Sequence, residues 1–538
     1  MKKLWVNIGI FFGCFLLLIT CIGAVLVMAP GMELLGIMYI RKSSGSVESK
    51  QTLPDASQYD NIYVESDNIP VQIEFVQSTS LRVELLEYYD GFAKASEEPS
   101  VEIIHKGDTI EIKSSEYTPF IAHKRSEESC LKVKVPMYYT NNLEVVSRKS
   151  EVRICGLSAA VNDISIETGG QVKFDSDIKM HALNITLQNE DAVIADWVVM
   201  DGNIHATSKG GNLTVPKGFK GRLEFSSNSG DLILSQCAQL TFKSKTGALK
   251  GKEDELPYIQ GDVLIETGGK IEIGRIGGAG TIIASNRSVS IGQKDEICGA
   301  RLEVSSTLGE INLIGSFINK DSKIKTKYGD VSIQDIDFAN VESTMGDVSI
   351  WCAVQGNITT RSGKVNISKV KECIDVETKS GKVYIGSKDD VIKDANIKTK
   401  SGNITILNAG NSNINIKTES GDVQFTQSID YKANLKIEAN KSNVVLNGIT
   451  GETYVATNRK ITANVHDVNE TIELIGKNKK VDVHIRKTCY VDIKSESNIV
   501  SAPGLTGEKK EYRNAPKTET KQIIKIKTEK GKVSVIVD

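Results

Sequence analysis

Proline is scarce in this sequence, 10 residues in 538, and none falls between Tyr258 and Ala502. A span that long without Pro is one that needs its backbone N–H groups, as the ladder of a β-sheet does. Aromatics are also few, at 6%, and no basic stripe is interleaved with them. The chain therefore lacks the stacking platform of a single-strand nucleic-acid binder. Neither sign of charge dominates: 66 Lys and Arg stand against 68 Asp and Glu, a net charge of −2. That balance gives no electrostatic footprint for nucleic acid or another anionic partner.

The reactive residues are equally sparse in pattern. Nine cysteines stand at 14, 21, 130, 155, 237, 298, 352, 373 and 489, with no Cys-x-x-Cys. Seven lie beyond the N-terminal apolar run, an odd number, so the sequence predicts small buried hydrophobes in strands and no disulfide framework. The six histidines, at 105, 123, 181, 205, 466 and 484, never adopt the spacing of metal ligands. There is no Gly-x-Ser-x-Gly elbow and no Walker loop. The Gly-rich stretch Gly274 to Ile282 joins one strand to another, whereas a phosphate cradle needs a following helix N-terminus. Its expected role is a corner of the fold. These absences point to a protein that is not an enzyme and carries no cofactor.

One apolar run is present. Lys2 and Lys3 precede Leu4 to Met28, which holds only Asn7 and Thr20 as clearly polar residues and is long enough to span a bilayer as a helix. Val27-Met28-Ala29 resembles a signal cleavage site, but Pro30 would follow the cut, so the sequence favours an uncleaved signal anchor. With the two lysines held inside, the chain is expected in the cell membrane as a single-pass protein with its C-terminal domain extracellular. The expected organisation is a tip and anchor over 1–40, a linker over 41–58, an N-terminal β cap over 59–146, and repeats over 147–538 with a polar loop at 501–518.

Glycine is abundant, 45 residues, and it is placed periodically. Aligning "TKYGDVSI", "TRSGKVNI", "TKSGKVYI", "TKSGNITI" and "TESGDVQF" exposes a repeat centred on Gly230, Gly247, Gly309, Gly329, Gly346, Gly363, Gly381, Gly402, Gly421 and Gly531. Three residues before each glycine stands Ser or Thr; two residues after it stands Leu, Ile or Val. Between these marks polar and apolar residues alternate, the period of a strand with one buried face. Each unit thus reads as two short strands about a turn, with glycine expected to supply a positive φ. Successive turns lie mostly 17 to 22 residues apart, too close for a βαβ unit. The arrangement that pairs every strand is an all-β parallel β-solenoid, a β-helix in which each coil stacks on the next about 4.8 Å away. The crossover preference of parallel strands makes right-handed winding the expectation. About 18 coils at that spacing would span on the order of 85 Å.

The most suggestive polar column follows the turn glycine by one residue: Asp330, Asp347, Lys364, Lys382, Asn403 and Asp422. Asp330 and Asp347 on adjacent coils could hold Ca²⁺ or act as an acid/base pair. The simpler expectation is a ladder in which unlike charges, such as Asp347 and Lys364, pair across coils. The Ser/Thr column is expected to bond the turn backbone.

Taken with LKVKVP at 131–136 and NLEVVSRKSEVRICGL at 142–157, which lacks the turn glycine, the ten windows resemble the bacterial putative-adhesin family, with its T-x-S-G-[DKN]-V-x-I coils. The resemblance covers roughly residues 60–538. It implies a membrane-anchored surface protein that holds or organises envelope material. Cell-wall glycan or a surface or membrane protein are the partners it suggests. Envelope-stress sensing through a membrane partner is the alternative, and a polysaccharide lyase or hydrolase a third reading.

Overall fold

The computed structural model describes residues 33–34, 38–53, 55–94, 99–115, 119–125, 128–299, 301–318, 321–427, 431–485, 489–496, 501–502, 510–514, 518 and 522–537. The expected anchor, Leu4 to Met28, lies outside them. Every regular element among the described residues is a β-strand, and no helix there is long and apolar enough to cross a membrane. The strands fall into two compact units, Met1–Gly247 and Ala248–Asp538.

In the first unit, two parallel ladders rise side by side. One runs through Asn61–Ser66, Asn142–Ser147, Ala159–Thr168, Ile178–Leu187, Ile204–Ser208, Arg222–Ser227 and Gln239–Ser244. The other runs through Val71–Val76, Val152–Gly156, Val172–Phe174, Ala192–Ile194, Leu213–Thr214 and Leu232–Ile233. Alternate residues of each strand turn inward. Ile164, Ile166, Leu183, Ile185, Ile204 and Phe225 of the first ladder are almost fully buried. Each such side chain is covered chiefly by its counterparts one coil away, so a unit of this size works only as part of a stack.

The parallel register begins at Asn61, so the segment expected as a cap already contains coil geometry. It does so out of chain order. Asn61–Ser66 is flanked on one side by Asn142–Ser147 and on the other by Thr109–Ser115, while Val71–Val76 lies between Val152–Gly156 and Cys130–Pro136. The coil made later in the sequence is the outer one. Antiparallel strands then close its edges: Ser100–Lys106 on Thr109–Ser115, and Leu81–Lys94 on Cys130–Pro136. Met38–Leu53, most of which falls in the segment 41–58 expected as a linker, pairs antiparallel with Leu81–Lys94 from Ile40 to Leu53. Its alternation is too weak to announce a strand; the partner supplies the order.

The second unit repeats the plan at higher regularity. The aliphatic residues two after each turn stack as Ile311, Val331, Val348, Val365, Val383, Ile404, Val423, Val444, Ile461, Val481 and Val533, each paired with the next. The repeat read from the sequence is therefore a stacking register. At the C-terminal end chain order again fails: Ile523–Thr528 pairs with Ile472–Gly476 on one side and with the earlier strand Tyr490–Ser495 on the other. Glu511–Arg513, inside the segment expected as a polar loop, runs antiparallel on Asp492–Lys494 and covers that last edge. The Gly-rich stretch from Gly274 is a corner, as expected: Arg275–Ile276 pairs in parallel with Tyr258–Ile259, and Gly280–Ala284 pairs in parallel with Val263–Thr267.

Candidate functional site

Turn geometry decides what the ten repeat glycines do. None has the positive φ expected of it; among the described residues the glycines that do are Gly107, Gly156, Gly292, Gly315, Gly386 and Gly448. What the turns require is close approach. A Cβ on Gly346 would lie 1.8 Å from the carbonyl oxygen of Gly329, and one on Gly363 would lie 1.9 Å from that of Gly346. The same clash recurs at Gly381, Gly402 and Gly421 against the glycine one coil below, and at Gly230 and Gly247 in the first unit. Gly329 meets Gly309, Gly309 meets the Arg287 carbonyl, and Gly531 meets that of Lys479. The turns stack backbone on backbone, and only a residue without a side chain fits.

The Ser/Thr column serves these turns. Thr326 and Ser343 donate to the carbonyl oxygens of Gly329 and Gly346 at 2.8 and 2.7 Å. At Ser227, Ser244, Thr378 and Thr399 the hydroxyl instead accepts from the turn glycine N–H. One residue past the glycine, the polar column is a ladder of a different kind from the charge pairing expected. Asp330 Oδ1 accepts the backbone N–H of Asp347 at 2.7 Å, and Asp347 Oδ1 accepts that of Lys364 at 2.7 Å. Asn403, Asp422 and Asn443 continue the pattern. A side-chain oxygen reaches the next coil's amide because the two turns sit one β-spacing apart, and the backbone is a nearer partner than a lysine ammonium. Among the described residues no three His, Cys, Asp or Glu side chains gather as a metal cluster.

Cysteine behaves as its isolation suggests. The seven described thiols are free, and Cys237, Cys298, Cys352 and Cys489 are buried. Burial pushes the Cys237 thiol up to about 12, and raises Cys130, Cys155, Cys352 and Cys373 as well. Such thiols are poor nucleophiles. His181 and His205 sit exposed beside Asp201 and Glu224 at 3.0 and 3.1 Å, each as a cross-coil pair.

The richest polar surface lies elsewhere, on the outward positions of the first ladder of the second unit. Asn357, Asp375, Asn396, Asn415, Lys436 and Tyr454 stand in one column, each opposite the next. A parallel column two residues on contains Glu377, Lys398, Lys417 and Glu438. Asn396 donates to Asp375 at 2.7 Å, and Asn434 to Asn413 at 3.1 Å. Lys398 pairs with Glu377 at 2.9 Å, while Glu438 is shared by Lys436 at 3.3 Å and Lys417 at 3.6 Å. The hydrogen bond from Lys436, with its charge and that of Lys417, holds the Glu438 carboxyl below its ordinary range. Three open depressions cross this face, and Asn396, Asn415, Lys398, Lys417 and Glu438 each line two of them. The face offers neutral carboxamides, three compensated Lys–Glu pairs and the Asp375 carboxylate in a regular array. The chemistry such groups can perform is hydrogen bonding. The sequence carried a signal for it in Asn-Ile-Thr at 357–359 and Asn-Ile-Lys at 396–398 and 415–417, which alternation alone turns into an outward column.

The family model described as Toastrack DUF4097 matches residues 196–390 and 369–536, together more than half of the chain. The chain belongs to the Toastrack DUF4097 family. All ten turn glycines and the whole carboxamide face fall within the Toastrack-matched residues. No curated protein matches the chain. Among solved structures, it is similar to a protein of Parabacteroides distasonis described as a "putative adhesin". The two are 11% identical, with 68% of this chain and 98% of that one covered, at a TM-score of 0.17.

Proposed function

We propose that this Toastrack protein is a non-enzymatic, membrane-anchored extracellular β-solenoid of the bacterial cell envelope, adhesin-like or scaffolding, that holds cell-wall glycan against the Asn- and Lys-bearing face of its second unit. The observation that carries this reading is the column Asn357, Asp375, Asn396 and Asn415 with its neighbour Asn434. Carboxamides both donate and accept, and a row of them at strand spacing matches the hydroxyls of an extended glycan without requiring charge. The flanking Lys398, Lys417 and Lys436 are already paired with Glu377 and Glu438, and the Asp375 carboxylate, which accepts from Asn396, adds a further acceptor for ligand hydroxyls. Tethering rests on Lys2, Lys3 and the apolar run after them.

The full chain, purified in mild detergent, is mixed with isolated bacterial cell walls and sedimented, with bound protein and released sugar both assayed. Saturable pelleting without sugar release, weakened by Asn396→Ala together with Asn415→Ala, is the expected outcome. Sugar release instead means a lyase or hydrolase. No pelleting by the folded wild-type chain removes the glycan reading and leaves a regulatory subunit that acts through a membrane partner.

A further inference from the structure

We propose a second, separate site on the second unit: the turn edge of three consecutive coils binds a linear phosphodiester polymer of the polyol-phosphate kind. In the sequence its parts are scattered over forty residues of a nearly neutral chain. Stacking brings them together. The turns read Arg361-Ser362-Gly363-Lys364, Lys379-Ser380-Gly381-Lys382 and Lys400-Ser401-Gly402-Asn403, with no acidic residue in any of them.

The strands beside these turns are in register, Thr360 opposite Thr378 and Thr378 opposite Thr399 on one flank, Val365 opposite Val383 and Val383 opposite Ile404 on the other. Arg361, Lys379 and Lys400 therefore form one column, Lys364 and Lys382 a second, and the three serines the crest between. All eight side chains are exposed. Neighbours in a column stand about 4.8 Å apart along the stack.

On this edge five cations stand together with no carboxylate among them, whereas at several other places in the same unit cations meet carboxylates across coils, as in Lys325 with Glu342, Lys369 with Asp390 and Lys527 with Glu473. Among the described residues, none of Arg361, Lys364, Lys379, Lys382 and Lys400 forms an ion pair. Like charges on adjacent strands repel, so the edge carries a repulsion that a bound anion would relieve. The patch has limits: Asp347 stands on the coil before it, Glu419 and Asp422 on the coil after it.

The donors fit phosphate. Arg361 supplies a planar fork and the lysines point charges. Each serine hydroxyl is held only by a long bond to a carbonyl one coil below, 3.4 Å for Ser362 and 3.3 Å for Ser380 and Ser401, and can turn outward to an anionic oxygen. A repeating array calls for a repeating ligand. No aromatic residue occurs in the three turns, so the edge has nothing on which to stack bases, which favours a polyol phosphate over single-stranded nucleic acid. This site stands on the edge alone and does not depend on glycan binding by the face.

The test measures binding of the detergent-solubilised full chain to fluorescent poly(glycerol phosphate) by anisotropy, with neutral dextran and oligothymidylate as competitors. Wild-type protein should bind, lose roughly tenfold or more in affinity on raising salt from low to physiological strength, and ignore dextran. Arg361→Gln with Lys379→Gln and Lys382→Gln should abolish most binding. Lys179→Gln with Lys209→Gln and Lys220→Gln, the same charge change away from the edge, should not, and Lys379→Arg with Lys382→Arg should retain it. Equal binding by both triple variants, no binding by the folded wild type, or tighter competition by oligothymidylate would each overturn the proposal.

Discussion

A single side-chain oxygen links neighbouring turns at several places along the stack, and Asp347 shows how. Its Oδ1 takes the N–H of Lys364 at an exposed position, so the bond competes with water and contributes about 1 kcal/mol. Asp347→Ala should therefore lower the denaturant-measured stability by about that amount. Asp347→Asn keeps an acceptor oxygen in the same place and should be close to neutral. If the two variants lose stability equally, the charge and not the acceptor matters, and the ladder of unlike charges returns as the explanation. The glycine beside it illustrates the limit of reading residues from sequence. Glycine offers two things, a positive φ and the absence of Cβ, and a strict Gly column is compatible with both. Only the stacked geometry, with the Gly329 carbonyl where a Gly346 Cβ would be, distinguishes them.

At the scale of strands, alternation and turn spacing were sufficient to find the coils and their parallel pairing, because each coil's burial pattern is local. Pairing at the ends was not legible. Tyr490–Ser495 looks like any other inward-alternating strand, and nothing in its own residues says that Ile523–Thr528 will insert between it and Ile472–Gly476. The carboxamide face was half legible: the Asn-Ile-Thr and Asn-Ile-Lys triplets were visible, but their alignment depends on loops of unequal length between them. The edges pose a further problem, since an open parallel strand is a template for a second molecule. Glu511–Arg513 blocks one, with Ile493 opposite Tyr512 and Arg513 bound to Asp492 at 2.7 Å. Tyr512→Pro should dislodge this short strand, because proline fixes φ and removes an amide donor. The expected result is concentration-dependent association in light scattering with little change in far-UV circular dichroism. A variant that stays as monodisperse as the wild type would mean that this strand is not what protects the edge.

For the chain as a whole, the governing fact is that contacts reach one coil in either direction. In each unit a coil pairs with the coil above and the coil below, as Val383 does with Val365 and Ile404. Stability is then approximately a sum over coils and their interfaces, and a local defect need not be felt far away. Such a stack also lets the two sites sit on different aspects of the same coils, since Thr378 ends the strand that bears the face and begins the turn that bears the edge. Gly402→Ala tests the idea directly. Its Cβ would lie 1.8 Å from the Gly381 carbonyl, and the required shift should cost roughly 1–3 kcal/mol, as overpacking does. Native-state hydrogen exchange should show lost protection in Val383–Ile385, Ile404–Ala409 and Val423–Gln427, the strands stacked around that turn. Asn61–Ser66 and Asn142–Ser147, in the other unit, should exchange as in the wild type. A uniform loss of protection across all of these strands would show that the chain opens as one cooperative body, and the coil-by-coil account of its stability would have to be abandoned.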